Sequence, residues 1–234
     1  MIPISDENPT RLTPIVNWAI IAACVAVYVW EVYQPPQADI FHQYGFLPST
    51  LMSPASAPAT EPSWPAIATI FTSMFLHGGI WHLAGNMLYL WIFGNNIEDA
   101  MGHARYLLFY LLCGIAAALT MAFMDPASTV PMVGASGAIS GVLGAYMLLY
   151  PRAPVTVIVP LFIIFYPFRL NAVWVVGVWF AMQLLNAAFS TPDNPGVAWW
   201  AHVGGFVAGI ALTPFLKSAQ VRYFGPYLKR GPWG

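Results

Sequence analysis

The sequence predicts an all-α membrane protein in which six transmembrane helices form a bundle. Hydrophobic residues make up 59% of its 234 residues and charged residues only 7%, whereas a soluble domain carries about 25% charged residues. Apolar segments long enough to cross a bilayer, which takes about 20 residues, recur along the chain. The few basic residues are confined to alternate connecting segments, a bias typical of membrane proteins.

Six apolar segments predict the transmembrane helices. Polar, charged or proline residues bound them, and they run over residues 14–33, 80–93, 106–124, 133–150, 170–189 and 198–215. The first is too long for a signal peptide and ends in Tyr28-Val29-Trp30-Glu31 instead of small residues suited to cleavage, so it predicts a retained helix. We expect one domain over residues 14–217, with cytoplasmic tails over residues 1–13 and 218–234.

Two further segments are partly apolar but are interrupted by proline, which breaks helices. Residues 34–79 combine repeated prolines with aromatic residues and predict an interfacial first loop. Residues 155–168 are too few to cross a bilayer comfortably and contain two prolines, so we expect an interfacial or re-entrant segment. Polar turns are expected at residues 94–99 and 191–196.

The positions of the basic residues predict the orientation of the chain. With both termini in the cytoplasm, every Lys and Arg lies on the cytoplasmic side: Arg11, Arg105, Arg152, Arg169, Lys217, Arg222, Lys229 and Arg230. The opposite segments, residues 34–79, 125–132 and 190–197, contain no basic residue. This positive-inside bias predicts six spans. It excludes seven, because a seventh span would place the basic C-terminal tail outside.

Composition also excludes several kinds of function. Cys24 and Cys113 lie in apolar segments, which predicts core or lipid-facing positions instead of a disulfide. The histidines are scattered, without cysteines or carboxylates at the spacing of metal ligands. The sequence has no basic tract and no phosphate-binding loop. We therefore expect no metal, no cofactor and no nucleic-acid partner.

Four polar side chains inside the predicted spans are functional candidates, because polar groups are costly in a bilayer. His82 and Asn86 lie one helical turn apart on span two. Ser136 lies near the outer end of span four, and His202 near the outer end of span six. At about 1.5 Å per residue, all four fall at one level in the outer third of the membrane. A lone polar residue is more often a packing residue, but the shared depth favours a joint site.

The stretch Gly134–Ala145 allows two interpretations. Its small residues recur every four positions, a pattern typical of closely packed membrane helices. The alternative is that Ser136 is a nucleophile. Four glycines would let spans four and six approach closely: Gly137, Gly141, Gly205 and Gly209. Because that packing would bring Ser136 within hydrogen-bonding reach of His202, the two interpretations are compatible.

An imidazole beside a serine can take the hydroxyl proton and so make the oxygen nucleophilic. Because no Asp or Glu lies at this depth, the sequence predicts a Ser136–His202 dyad and not a triad. The oxyanion of a tetrahedral intermediate needs hydrogen-bond donors. His82 and Asn86 are candidates for that role, together with the backbone N–H of Ser136.

Three motifs in order resemble those of the rhomboid intramembrane serine proteases, and they lie at residues 82–86 (HLAGN), 134–137 (GASG) and 201–209 (AHVGGFVAG). The similarity runs from residue 70 to residue 212. It implies a rhomboid-like six-helix bundle with a water-filled cavity open to the outside, and the same roles for the dyad and the two oxyanion donors. It also implies hydrolysis of a peptide bond in or near a substrate's transmembrane segment without a cofactor. The expected partners are single-span membrane proteins and the lipid bilayer.

The sequence departs from the family pattern at two places. Many rhomboids carry a Trp-Arg pair in the first loop, where this chain has Ala68 and Thr69. Some place an aromatic residue four positions after the serine, where this chain has Ser140. By analogy with the family, Trp179 and Phe180 are candidate gate residues where spans two and five part to admit a substrate helix.

Two other functions are alternatives. A catalytically silent rhomboid-like protein would bind membrane-protein clients, but the intact Ser136, His202 and Asn86 disfavour it. A small transporter is disfavoured because the polar groups lie near one surface and no inverted repeat is visible. We expect a prokaryotic inner (plasma) membrane, because no appended soluble domain is recognisable in the sequence, with an organelle membrane as the alternative.

Overall fold

The computed structural model describes residues 2–35, 38–52, 64–161, 164–190 and 197–224. Within them the chain is mostly helical, with one three-stranded sheet. The elements in chain order are β1 (Ile2–Asp6), α1 (Ile15–Val32), α2 (Ile40–Tyr44), α3 (Pro48–Met52), α4 (Ala66–Thr72), α5 (Ile80–Tyr89), a π-helical turn (Leu90–Gly94), α6 (Asn95–Met101), α7 (His103–Met124), α8 (Ser136–Leu149), β2 (Pro154–Leu161), β3 (Ile164–Asn171), α9 (Ala172–Phe189) and α10 (Trp199–Leu216).

Four of the described helices, α1, α7, α9 and α10, are long and apolar enough to cross a membrane. They coincide with predicted spans one, three, five and six to within a few residues. At predicted span four lies α8, a shorter apolar helix of 14 residues. At predicted span two lies α5, which continues through the π-helical turn into α6. The chain therefore forms a helical bundle of membrane type.

The polar turn predicted at residues 94–99 is wrong, because the chain remains helical there. The side chains of Asn96 and Asp99 bond to backbone groups of the N-terminal segment. Glu98 is fully buried, and its carboxylate oxygens accept from the backbone N–H groups of Val16 (3.0 Å) and Asn17 (2.7 Å). These N–H groups belong to the first turn of α1, where helical donors lack intrahelical acceptors. Glu98 thus fixes the start of α1 against α6.

The predicted all-α class is wrong in one respect, because the chain also forms an antiparallel sheet in the order β1-β2-β3. Residues 155–168, expected as an interfacial or re-entrant segment, form most of the β2–β3 hairpin. Val155 and Val157 are fully buried in the main hydrophobic core, whereas Thr156 between them is only half-buried. This two-residue alternation is typical of a strand, and β-branched residues favour strands.

The N-terminal segment is part of the sheet. Residues 1–13 are expected as a tail, yet β1 pairs with β2, with Ile2 opposite Ile158. Asp6, at the end of β1, accepts a 2.7 Å hydrogen bond from the hydroxyl of Tyr146 on α8. Burial raises the pKa of Asp6 to about 6, and the Tyr146 hydrogen bond opposes that change. The strand is therefore tied both to the hairpin and to the central helix.

The central helix is α8, most of whose residues are buried between α7 and α10. Glycines set the spacing of α8 and α10. A Cβ added at Gly205 would lie 2.0 Å from the carbonyl oxygen of Gly137, and one at Gly209 would lie 2.1 Å from that of Gly141. On the opposite side, a Cβ at Gly141 would lie 2.3 Å from Cys113 Sγ on α7. No larger residue fits at these positions without moving a helix.

Several expectations fall outside the described residues. They are the turn at residues 191–196, the middle of the first loop at residues 53–63, and the basic residues Lys229 and Arg230.

Candidate active site

Ser136 lies in the first turn of α8. The glycine two residues earlier, Gly134, allows the chain before this turn to pass close to the His82 ring. Gly134 has a φ of +121°, a conformation that glycine adopts far more readily than other residues. A Cβ at Gly134 would also lie 2.7 Å from Cε1 of the His82 ring. Ser136 is the first residue of α8, so its own N–H is among those that have no acceptor within the helix.

Ser136 and His202 are in direct contact. His202, in the first turn of α10, has its Nε2 atom 2.8 Å from Ser136 Oγ. The imidazole is only 9% exposed. The contact joins α8 and α10 at the end of the glycine-packed interface between them. A hydroxyl at this distance can donate its proton to an unprotonated imidazole nitrogen.

The second ring nitrogen of His202 contacts Gln183 on α9. His202 Nδ1 lies 2.8 Å from Gln183 Oε1, and Gln183 is only 6% exposed. The predicted site residues are two histidines, Asn86 and Ser136, and Gln183 is not among them. A polar amide inside a helix as apolar as α9 is the signal that could have found it.

His82 and Asn86 face the turn that precedes Ser136. A Cβ built at Gly134 would lie 2.8 Å from His82 Nε2 and 3.5 Å from Asn86 Nδ2. Asn86 Nδ2 is buried and has no hydrogen-bond partner among the described residues. His82 packs edge-to-face against His77, with ring centroids 5.3 Å apart. Two side-chain nitrogens of α5 are thus aimed at the N-terminus of α8.

A cavity of about 800 Å³ lies in front of these groups. All four predicted site residues line it, namely Ser136, His202, His82 and Asn86. Its walls also include large apolar side chains, among them Trp81, Met121, Met124, Trp199 and Trp200. A cavity of this size and composition is in the range that binds organic ligands with a few fixed polar groups.

Trp179 and Phe180, the candidate gate residues, occupy different environments on α9. The Trp179 ring lines the cavity, 6.0 Å from the His202 ring and 6.5 Å from the ring of Tyr89 on α5. Phe180 instead stacks on Phe206 of α10, with ring centroids 3.9 Å apart. Both rings therefore pack near α10, but Trp179 also reaches the facing helix α5 across the cavity.

The aromatic neighbours of the imidazole come from α9 and α10. Trp179 lies 6.0 Å and Trp199 6.1 Å from His202, measured between ring centroids. Ser140, at the position where some rhomboids have an aromatic residue, is fully buried and donates its hydroxyl to the carbonyl of Ser136 (2.7 Å). The hydroxyl at position 140 is therefore satisfied within α8 itself.

A family model described as the Rhomboid domain matches residues 65–219, which is more than half of the chain and includes α4 through α10. This chain belongs to the rhomboid family. The resemblance drawn from the three motifs is confirmed. With four helices of membrane-crossing length, this rhomboid is an integral membrane protein.

Curated rhomboids from yeast, bacteria and plants are similar to this one. The chain is 30% identical over 155 residues to Rhomboid protein 1, mitochondrial, of Saccharomyces cerevisiae, covering 64% of this chain and 42% of the relative. It is 32% identical over 161 residues to the Rhomboid protease GluP of Bacillus subtilis, covering 68% and 28%. It is also 32% identical over 156 residues to RHOMBOID-like protein 1 of Arabidopsis thaliana, covering 66% and 36%.

The chain thus spans less than half the length of these three relatives. The relatives also bear on the expected prokaryotic inner membrane. Because they include mitochondrial and plant proteins beside a bacterial one, they do not favour a prokaryotic membrane over a eukaryotic one.

Proposed function

We propose that this rhomboid is an intramembrane serine endopeptidase that hydrolyses a peptide bond in or near a substrate's transmembrane segment. The observation that carries the proposal is the 2.8 Å contact between Ser136 Oγ and His202 Nε2 at the wall of an 800 Å³ cavity. Membership of a family that includes a relative named as a protease supports it.

Acylation begins when His202 Nε2 takes the proton of the Ser136 hydroxyl and the oxygen attacks the scissile carbonyl carbon. The carbonyl oxygen becomes an oxyanion, which the Asn86 amide, the His82 ring and the Ser136 backbone N–H stabilise. Removing one donor of this kind costs about 10²–10³ in rate. The C–N bond then breaks, and the amine leaves with the proton held by His202.

Deacylation repeats these steps with water. His202 Nε2 takes a proton from a water molecule, the resulting hydroxide attacks the acyl carbon, and Ser136 leaves with that proton. The products are a carboxylic acid and an amine, and the free dyad is restored. Apart from the substrate and water, the proposed steps use only side chains and backbone groups of this chain.

We assign six spans to the chain, with α5–α6 as the second and α8 as the fourth, and both termini in the cytoplasm. The length of α8 supports a water-filled cavity above Ser136. Its 14 residues rise about 21 Å, whereas the hydrocarbon core is about 30 Å thick. The missing depth is taken by the cavity. Single-span proteins in the bilayer are the proposed substrates, entering between α5 and α9 with Trp179 and Phe180 as the gate.

The direct test replaces the dyad. Ser136→Ala and His202→Ala should each abolish cleavage of a single-span substrate in proteoliposomes, and Ser136→Ala should abolish labelling by a fluorophosphonate. Ser190→Ala is the matched control, because Ser190 also lines the cavity but contacts neither dyad residue; in the described part of the chain its hydroxyl bonds to the carbonyl of Ala187 (2.9 Å). It should keep both activities.

Undiminished cleavage by either dyad variant would refute the protease proposal. If the wild-type protein neither cleaves nor labels but retains bound membrane proteins, the catalytically silent alternative is favoured. Solute uptake into proteoliposomes that does not depend on Ser136 would favour a transporter.

A further inference from the structure

Among the described residues, the side-chain atom within hydrogen-bonding distance of His202 Nδ1 is the amide oxygen of Gln183. We infer that Gln183 is a positioning residue that keeps the His202 proton on Nδ1, so that Nε2 faces Ser136 as an unprotonated base. The inference rests on the proposed protease function for its kinetic consequence. The structural part of the inference, which is the tautomer of His202, can be tested without any enzymatic activity.

The orientation of the Gln183 amide is fixed from its other end. Its Nε2 atom lies 3.2 Å from the backbone carbonyl oxygen of Trp179, one helical turn earlier on α9. A carbonyl oxygen can only accept, so the NH₂ group of the amide must face Trp179. The amide oxygen is then the atom that faces His202. A flipped amide would set two oxygens against each other and is disfavoured by this contact.

The amide oxygen in turn fixes the tautomer. A neutral imidazole carries one proton, on Nδ1 or on Nε2. Because Gln183 Oε1 can only accept, the 2.8 Å contact requires a proton on His202 Nδ1. Nε2 is then left with a lone pair, and it lies 2.8 Å from the Ser136 hydroxyl. In the other tautomer, Nδ1 and Oε1 would face each other as two acceptors, and Nε2–H could not accept the serine proton.

No carboxylate takes this place. Among the described residues none contacts His202, and its other ring neighbours, Trp179 and Trp199, lie about 6 Å away between centroids. A neutral amide orients the ring as a carboxylate would, but without placing an unpaired charge in the membrane, where charge is costly. The pair becomes a Ser–His dyad oriented by an amide from a third helix.

Kinetics of three α9 variants of the full-length protein test the inference. Gln183→Met keeps the length of the side chain but removes the amide oxygen, and Gln183→Asn keeps an amide that is too short to reach Nδ1. Both should lower kcat, by at most the about 10²–10⁴-fold that general acid–base catalysis supplies, with KM changed less than about twofold, because Gln183 is not among the residues that line the cavity.

Gln183→Glu should retain kcat within about tenfold of the wild type. Its carboxyl group still offers Nδ1 an acceptor, and in the protonated form it can also donate to the Trp179 carbonyl. Met182→Leu is the matched control, since Met182 is the neighbouring residue on α9 and is 55% exposed. It should leave both constants unchanged. Equal losses in the Met and Glu variants would overturn the positioning role, because they would indicate a packing effect.

A spectroscopic measurement decides the tautomer without any substrate. In ¹⁵N-histidine-labelled protein, assigned by comparison with His202→Ala, the wild-type Nδ1 signal should be that of a protonated nitrogen and the Nε2 signal that of an unprotonated one. In Gln183→Met both should move towards the average of the two tautomers. A wild-type ring protonated on Nε2, or shifts unchanged in the Met variant, would overturn the inference. Failure of the wild type to cleave would refute the protease proposal alone.

Discussion

Asn86 Nδ2 is a buried donor without a hydrogen-bond partner among the described residues. A buried polar group left unpaired lowers the stability of the fold by about 1–3 kcal/mol. Its presence here therefore indicates a functional role. The atom is aimed at the turn before Ser136, as is His82 Nε2. We interpret this open donor as a preorganised site for the oxygen that becomes negative during acylation.

Replacing Asn86 by Ala should lower kcat by about 10²–10³-fold while leaving the folded structure intact, because no described hydrogen bond is lost. Initial rates on a single-span substrate and thermal unfolding in detergent would measure both quantities. Asn171→Ala serves as the control, since Asn171 is exposed at the start of α9 and its side chain makes no capping bond. If Asn86→Ala keeps the wild-type kcat, Asn86 is a packing residue.

At the residue scale, the sequence predicts the site residues whose chemistry is distinctive. It does not predict Gln183, whose role depends on geometry. Ser136, His202, His82 and Asn86 stand out in apolar spans, and depth along each helix is enough to bring them to one level. Gln183 has no intrinsic reactivity, so only the contact between α9 and α10 identifies it. The amide NH₂ group bonds to the carbonyl one turn earlier on the same helix, but that local contact does not identify the side chain that the amide oxygen meets.

The element that sets the dyad distance is the α8–α10 interface. Glycines on the two helices allow backbone atoms to touch, and Ser136 and His202 lie at one end of that contact. Any added atom in the interface pushes the helices apart along their length. Catalytic geometry and helix packing therefore depend on the same small residues.

Gly205→Ala should separate α8 from α10, because the new Cβ would lie 2.0 Å from the Gly137 carbonyl oxygen. Overpacking of this kind costs about 1–3 kcal/mol, and a lengthened Ser136–His202 contact should reduce cleavage at least tenfold at a temperature where the variant remains folded. Gly177→Ala is the control, since a Cβ there meets nothing within 4 Å. Thermal unfolding and cleavage rates would be compared, and equal behaviour of the two variants would contradict the argument.

At the element scale, the long apolar helices are predictable and the sheet is not. Length and hydropathy locate α1, α7, α9 and α10 to within a few residues. In residues 155–168 the alternation of Val155 and Val157 with Thr156 is a strand signal that the high overall hydrophobicity conceals. The pairing of β1 with β2 joins residues more than a hundred positions apart, and local patterns carry no information about such contacts.

The whole molecule has polar contacts that tie its N-terminal segment to the bundle. Glu98 fixes the start of α1, and Asp6 binds Tyr146 near the C-terminal end of α8. Both contacts lie at the end of the bundle opposite Ser136, which begins α8. Because basic residues also concentrate in the segments at that end, the proposed topology places the N-terminal segment, the sheet and the C-terminal tail together on the cytoplasmic side.

That orientation can be measured with single cysteines. The native Cys24 and Cys113 are both buried, so the wild-type protein should not react with a membrane-impermeant maleimide. Thr129→Cys lies in the exposed turn after α7, on the side of the cavity, and should label in sealed cells. Ala219→Cys lies in the exposed segment after α10 and should label only after the membrane is permeabilised. Labelling of both variants in sealed cells would place the C-terminus outside and rule out six spans with cytoplasmic termini. Labelling of Ala219→Cys alone in sealed cells would indicate the opposite orientation of the bundle.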